Sequence, residues 1–234
     1  MNILIRASII PTCVLAGLAC APLAWSLPSG PLAVPDSSGA SSASAGPAPN
    51  AAAVTVYNAG VAIMKHADEL DAKASSEQGA ERTRTLKGAR SAYSDAHARF
   101  LEATERDPSL PEAWNNLGYT ARKIGLNEDA LVAYARALAL RPNYPQALEY
   151  RGEAYLNLYR LDDAEQAYMD LFVTDRRVAN DFLGVMRRWV AAEQSKSGAH
   201  AAAVAELAKW VAERSQIAAQ TASLTRAGAA VSWR

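Results

Sequence analysis

Residues 111–144 read PEAWNNLGYTARKIGLNEDALVAYARALALRPNY, and the pattern returns one period of 34 residues later, at 145–178. A unit this short cannot hide its own apolar flank, so copies have to stack to share one core. Trp114, Leu117, Gly118, Ala130, Tyr134, Ala137 and Pro142 carry the first copy. They describe two amphipathic helices joined by a tight turn at Gly125, with small residues where backbones approach and a proline where the second helix stops. The second copy keeps Gly152, Tyr155, Ala164 and Tyr168, but has Leu148 for Trp, Arg151 for Leu, Leu171 for Ala and Arg176 for Pro. Its turn position is Tyr159 instead of Gly125. A tyrosine at positive φ costs on the order of 1 kcal/mol, so a different turn geometry is expected there.

The pattern extends in both directions. Upstream, Val56, Tyr57, Gly60, Ile63, Met64, Ala67 and Leu70 form one helical stripe, and Leu86, Ala89, Tyr93, Ala96, Phe100 and Ala103 form another, closed by Pro108. Ala96, Phe100, Ala103 and Pro108 repeat the spacing of Ala130, Tyr134, Ala137 and Pro142. Gly60 precedes Pro108 by 48 residues, whereas Gly118 precedes Pro142 by 24. Shared between two helices, the surplus lengthens each by about 12 residues, or roughly 18 Å, and predicts a projecting first hairpin. Downstream, Phe182, Val185, Met186, Trp189 and Val190 share a face, a break follows at 195–198, and Val204, Leu207, Trp210, Val211, Ile217 and Leu224 share another. A stack needs an atypical terminal unit to cover its last apolar face, and this helix pair suits that role.

These positions resemble the tetratricopeptide repeat, with Ala121 standing where that pattern has Tyr. The resemblance implies an all-α fold: a right-handed stack of antiparallel helical hairpins, a TPR-like α-solenoid, with an elongated first hairpin and a C-terminal capping pair. The expected hairpins are 54–110, 111–144, 145–178 and 179–226, with a loose tail at 227–234. It also implies a binding scaffold whose first helices line a concave groove. Carried over by position, the groove takes Glu112, Asn115, Tyr119, Arg122 and Lys123 from the first copy and Gln146, Glu149, Glu153, Leu156 and Asn157 from the second. Val54, Tyr57, Val61 and Met64 follow from the first hairpin. Asn115, Tyr119, Arg122, Lys123, Glu149 and Glu153 are the candidate partner-binding residues, and Arg122 and Lys123 could grip a carboxylate by charge-assisted bonds. Against this stands the plainer reading of a solvated helix face.

Residues 1–26 carry one charge, Arg6, before an apolar run interrupted by Pro11, Gly17 and Pro22. Ala24 and Ser26 offer small residues at the spacing read in secretory signal removal, so cleavage is expected at Ser26–Leu27 or after Ala24. That makes the protein periplasmic or secreted. A lipoprotein reading rests on Cys20 after Leu18 and Ala19, although Gly17 and Leu18 depart from the preferred order. Residues 27–53, rich in Ser, Pro, Ala and Gly, read as a disordered linker.

Cys13 and Cys20 are the two cysteines of the chain. Removing the signal leaves no thiol, which excludes disulfides, thiol nucleophiles and cysteine metal sites. A formal charge of zero gives no pull toward nucleic acid or anionic lipid. A membrane tether is expected only with the signal retained or lipidated. His66, His97 and His200 fall on separate helices without ligand-like spacing, and no catalytic or nucleotide fingerprint is present. The acidic pairs Glu128, Asp129 and Asp162, Asp163 fit helix starts. The reading is a non-catalytic scaffold with neither metal nor cofactor, binding a protein or peptide. A tethered envelope adaptor and a helical enzyme or small-ligand binder are the alternatives.

Overall fold

The computed structural model describes residues 50–196 and 198–230. The expectations for the signal at 1–26, for 27–49 and for the end of the tail lie outside them. Eight helices run in order among the described residues: α1 Ala51–Ala74, α2 Gly79–Arg106, α3 Pro111–Lys123, α4 Asn127–Leu140, α5 Pro145–Asn157, α6 Leu161–Thr174, α7 Arg176–Gln194 and α8 Ala201–Ala230. Each packs on the next, and α3 on α5 and α5 on α7 also touch, so the first helix of each hairpin forms one inner layer. The fold is the expected all-α stack of hairpins, with the 111–144 and 145–178 units side by side.

Helix α1 starts three residues before Val54 because Asn50 caps it, accepting from the Ala52 and Ala53 amides. The Asn50 amide is itself tied to Asp107 Oδ2 at 2.9 Å, which closes the first hairpin at its base. Helices α1 and α2 have 24 and 28 residues, against 13 and 14 for α3 and α4, so the surplus is shared between both helices as expected. Pro111 and Pro145 open α3 and α5 at first-turn positions, where the missing amide costs nothing.

Small residues let the helices close. A Cβ on Gly60 would lie 2.9 Å from the Phe100 ring, and one on Gly118 would lie 2.7 Å from the Tyr134 ring. In both cases the aromatic comes from the second helix of the same hairpin. The third case breaks the pattern: the ring over Gly152 is Phe182 of α7, 2.4 Å from where a Cβ would sit, whereas Tyr168 of α6 turns to meet Trp210 of α8 edge-on at 5.2 Å. Leu148, Leu171, Phe182, Met186, Leu207 and Val211 join one buried cluster, so α7 and α8 cover the end of the stack.

The turn at Tyr159 corrects the sequence expectation. Tyr159 adopts φ 55°, and its turn copies that of Gly125 at φ 92°. In both, the left-handed residue's amide reaches back to one carbonyl (Arg122, Leu156) and the next amide to another (Ala121, Tyr155), the paired bonds of a Schellman motif. The side chain offsets the strain: its hydroxyl donates to Glu193 Oε2 at 2.6 Å, and its ring stacks on His200 at 4.1 Å and meets Trp189 at 5.4 Å. Two substitutions separate backbone from side chain. Tyr159→Ala keeps the strain and loses the contacts, so Tyr159→Gly should be more stable than Tyr159→Ala by about 1 kcal/mol while both fall below the parent. Urea unfolding of the three proteins checks the order.

Candidate partner-binding groove

The inner layer presents one side of α1, α3, α5 and α7. Between the first three lies an open pocket of about 430 Å³ lined by Met64, Asp68, Asn115, Asn116, Tyr119, Tyr144, Gln146 and Tyr150. Asn115 reaches it because it follows Trp114 on α3, one turn before Tyr119. Its side chain is almost buried at 4% exposure; Nδ2 donates to Asn116 Oδ1 at 3.2 Å, and Oδ1 has no hydrogen bond among the described residues. Tyr119 packs against Tyr93 at 6.1 Å and Tyr150 at 5.1 Å, forming an aromatic seam across three helices. The hydroxyls of Tyr93 and Tyr119 both donate to Asp68 Oδ1, at 2.6 and 2.7 Å.

The two candidate cations are engaged within the chain. Arg122 pairs with Glu153 at 2.7 Å, with the Arg122 side chain 11% exposed, and its guanidinium lies over the Tyr119 and Tyr150 rings at 5.4 and 5.5 Å. Burial works against that charge, and the Glu153 carboxylate together with the Tyr134 and Tyr119 hydroxyls more than offsets it, holding the guanidinium above its ordinary pKa. Lys123 pairs with Asp71 of α1 and lies 5.0 Å from the Tyr93 ring. The carboxylates that Arg122 and Lys123 grip are thus this protein's own, linking α3 to α5 and α1. Glu112 is likewise paired with Arg141. Of the other carried-over positions, Leu156 is 1% exposed and belongs to the core instead of the groove, because the last turn of α5 is overlaid by the capping pair. Tyr57 lies against Phe100 at 5.7 Å and accepts a hydrogen bond from Asn116, and Asn157 bonds Asn127.

Glu149 has no ion pair or hydrogen bond among the described residues. Half-burial raises its carboxyl to about 7, with Glu153 and Asp181 adding to the shift and Arg122 and Arg177 opposing it. The folded pKa exceeds the unfolded one. Ionised Glu149 therefore costs stability above pH about 7, and the cost vanishes below the unfolded carboxylate range. Partial exposure reduces the penalty to about 1 kcal/mol. Glu149→Gln is expected to stabilise by that amount at pH about 8 and by nothing at pH about 4. Thermal melts of both proteins across that range measure it.

Asp68, Asn116, Tyr144 and Tyr150 escaped the sequence reading. Asp68 had a usable signal, lying one helical step beyond Met64 on the same stripe. His97 packs beside Thr120 at 3.3 Å, and burial lowers its pKa. Among the described residues no group of acids, histidines or cysteines is arranged to hold a metal, and no helix is long and apolar enough to cross a membrane.

The family profile of the tetratricopeptide repeat matches residues 111–144. Among solved structures, one of MamA is 22% identical over 58% of this chain and 80% of its own, with a TM-score of 0.38. A second, of MamA protein, is 19% identical over 72% of this chain and 94% of its own, with a TM-score of 0.40. A chain of a CopN-Scc3 complex is 18% identical over 46% of this chain and 70% of its own, with a TM-score of 0.38. No curated protein matches the chain.

Proposed function

We propose that this tetratricopeptide-repeat chain, a scaffold for protein interaction, takes an extended segment of its partner into the groove formed by α1, α3, α5 and α7 and catalyses nothing there. The observation that carries this reading is the inner layer itself. It is continuous over three hairpins, and it is floored by a polar pocket whose walls are tyrosines and amides. Aromatic rings with a polar tip supply contact area at low entropic cost, and amides suit a peptide backbone. A pocket this open lacks the enclosure that a small-ligand site or an enzyme requires.

Asn115, Tyr119 and Glu149 are the groove residues proposed to meet the guest. Arg122, Lys123 and Glu153 contribute by fixing the Tyr119 and Tyr150 rings in place. A photo-crosslinking residue at Gln146, on the pocket rim, should capture the partner, and one at Val132 on the outward side of α4 should not. Capture at Val132 with none at Gln146 would reject the groove.

We further propose export to the bacterial envelope, on the strength of the signal-like residues 1–26. Mass spectrometry of the purified amino terminus tests it. A start at Leu27 supports a free exported protein, and a lipid on Cys20 replaces that reading with a membrane-anchored adaptor.

A further inference from the structure

We infer that the pocket between α1, α3 and α5 receives a protonated side chain, a lysine or an arginine, from the partner's segment. This rests on the groove reading above and names the guest that the groove selects. Its first support is charge. Around the Tyr119–Tyr150 seam stand four carboxylates, Asp68, Asp71, Glu149 and Glu153, against two cations, Arg122 and Lys123. The cations are matched to Glu153 and Asp71. Asp68 and Glu149 have no ion pair among the described residues; Asp68 lines the pocket from α1, and Glu149 stands on α5 next to Tyr150 of the pocket wall, a ring whose hydroxyl feels both carboxylates. Farther along the groove, Arg177 is matched to Asp181 at 3.1 Å, so it does not supply the missing charge. An anionic guest would have to displace Glu153 or Asp71 from an established pair, whereas a cation meets two unmatched carboxylates.

The second support is the polar inventory of the pocket. Asp68 uses Oδ1 for both tyrosine hydroxyls, and its Oδ2 has no hydrogen bond among the described residues. Asn115, 4% exposed, lines the same pocket with an unsatisfied Oδ1. A buried amide oxygen left unpaired is costly, and it calls for a donor. Ammonium and guanidinium groups are pure donors. The third support is that these tyrosine faces already take cations from the chain itself, Arg122 over Tyr119 and Tyr150 and Arg141 over Tyr144 at 4.7 Å.

The full chain is titrated with three fluorescent peptides of one length, capped at both ends, in which alanine alternates with arginine, glutamine or glutamate. The arginine peptide is expected to bind about tenfold more tightly than the glutamine peptide, with the glutamate peptide weakest, and the preference should fall with added salt. Asp68→Asn should remove most of the preference, because an asparagine oxygen still accepts from Tyr93 and Tyr119 while the charge is gone. Glu149→Gln should weaken arginine binding several-fold, and as the same change stabilises the fold, a loss of binding there cannot come from unfolding. Glu128→Gln, on the start of α4, should leave binding unchanged. Equal binding of all three peptides, with Tyr119→Ala weakening each alike, would overturn the cation proposal and leave the groove standing. An unchanged arginine preference in Asp68→Asn would overturn it as well. No binding by any peptide, together with no crosslink at Gln146, would remove both.

Discussion

Replacing Phe182 by alanine is expected to destabilise the protein by about 3–5 kcal/mol, the range for deleting a fully buried aromatic side chain. Phe182 is 0% exposed and fills the space over Gly152, where α7 packs on α5. In a domain of this size the loss corresponds to a fall in melting temperature on the order of 10 °C. A stacked-hairpin protein passes such damage mainly to its neighbours. Amide exchange should therefore accelerate in α7 and α8 well before it does in α1 and α2. Gly152→Ala probes the same contact from the other side. A Cβ at 2.4 Å from Phe182 Cζ forces the ring or the helix to move, at a cost of about 1–3 kcal/mol. In the Phe182→Ala background the added methyl meets empty space, so its cost should disappear or change sign. A double-mutant cycle by urea unfolding measures that coupling, and strict additivity would contradict the packing described.

Arg122→Ala carries the second large effect, an expected loss of about 2–4 kcal/mol. The damage has two parts. It strips the cation from over the Tyr119 and Tyr150 rings, and it leaves Glu153 without its partner beside Glu149, a carboxylate that already ionises with difficulty. Removing one member of a nearly buried pair is worse than removing both, so adding Glu153→Gln should restore part of the stability. If Arg122 were only a solvated face, as one reading of the sequence allowed, Arg122→Ala would change the stability by less than about 0.5 kcal/mol and Glu153→Gln would add nothing.

The repeat was legible because helical period and glycine placement report directly which side of each helix is buried and where two backbones touch. Gly60, Gly118 and Gly152 announced three close approaches, and the 24-residue surplus announced the long first hairpin. The site was less legible. Tyr119 and Glu149 could be placed on the inner face from their positions in the repeat, but Arg122 finds Glu153 one repeat later and Lys123 finds Asp71 far upstream, and no local spacing encodes such pairs. Asp68 was missed for a related reason: the elongated hairpin runs past the 34-residue unit, so Asp68, beyond the last carried-over position Met64, has no counterpart on the shorter α3.

By itself, then, the sequence determined the hairpins, their order and their inward faces, because those follow from local periodicity and from residues that permit or forbid close contact. Tertiary packing alone decided which aromatic covers Gly152, why Tyr159 can hold a strained turn, and how the groove's cations are used up to leave Asp68 and Glu149 unmatched. These outcomes depend on the space and charge left by helices distant in the chain, and such quantities exist only after the stack has closed.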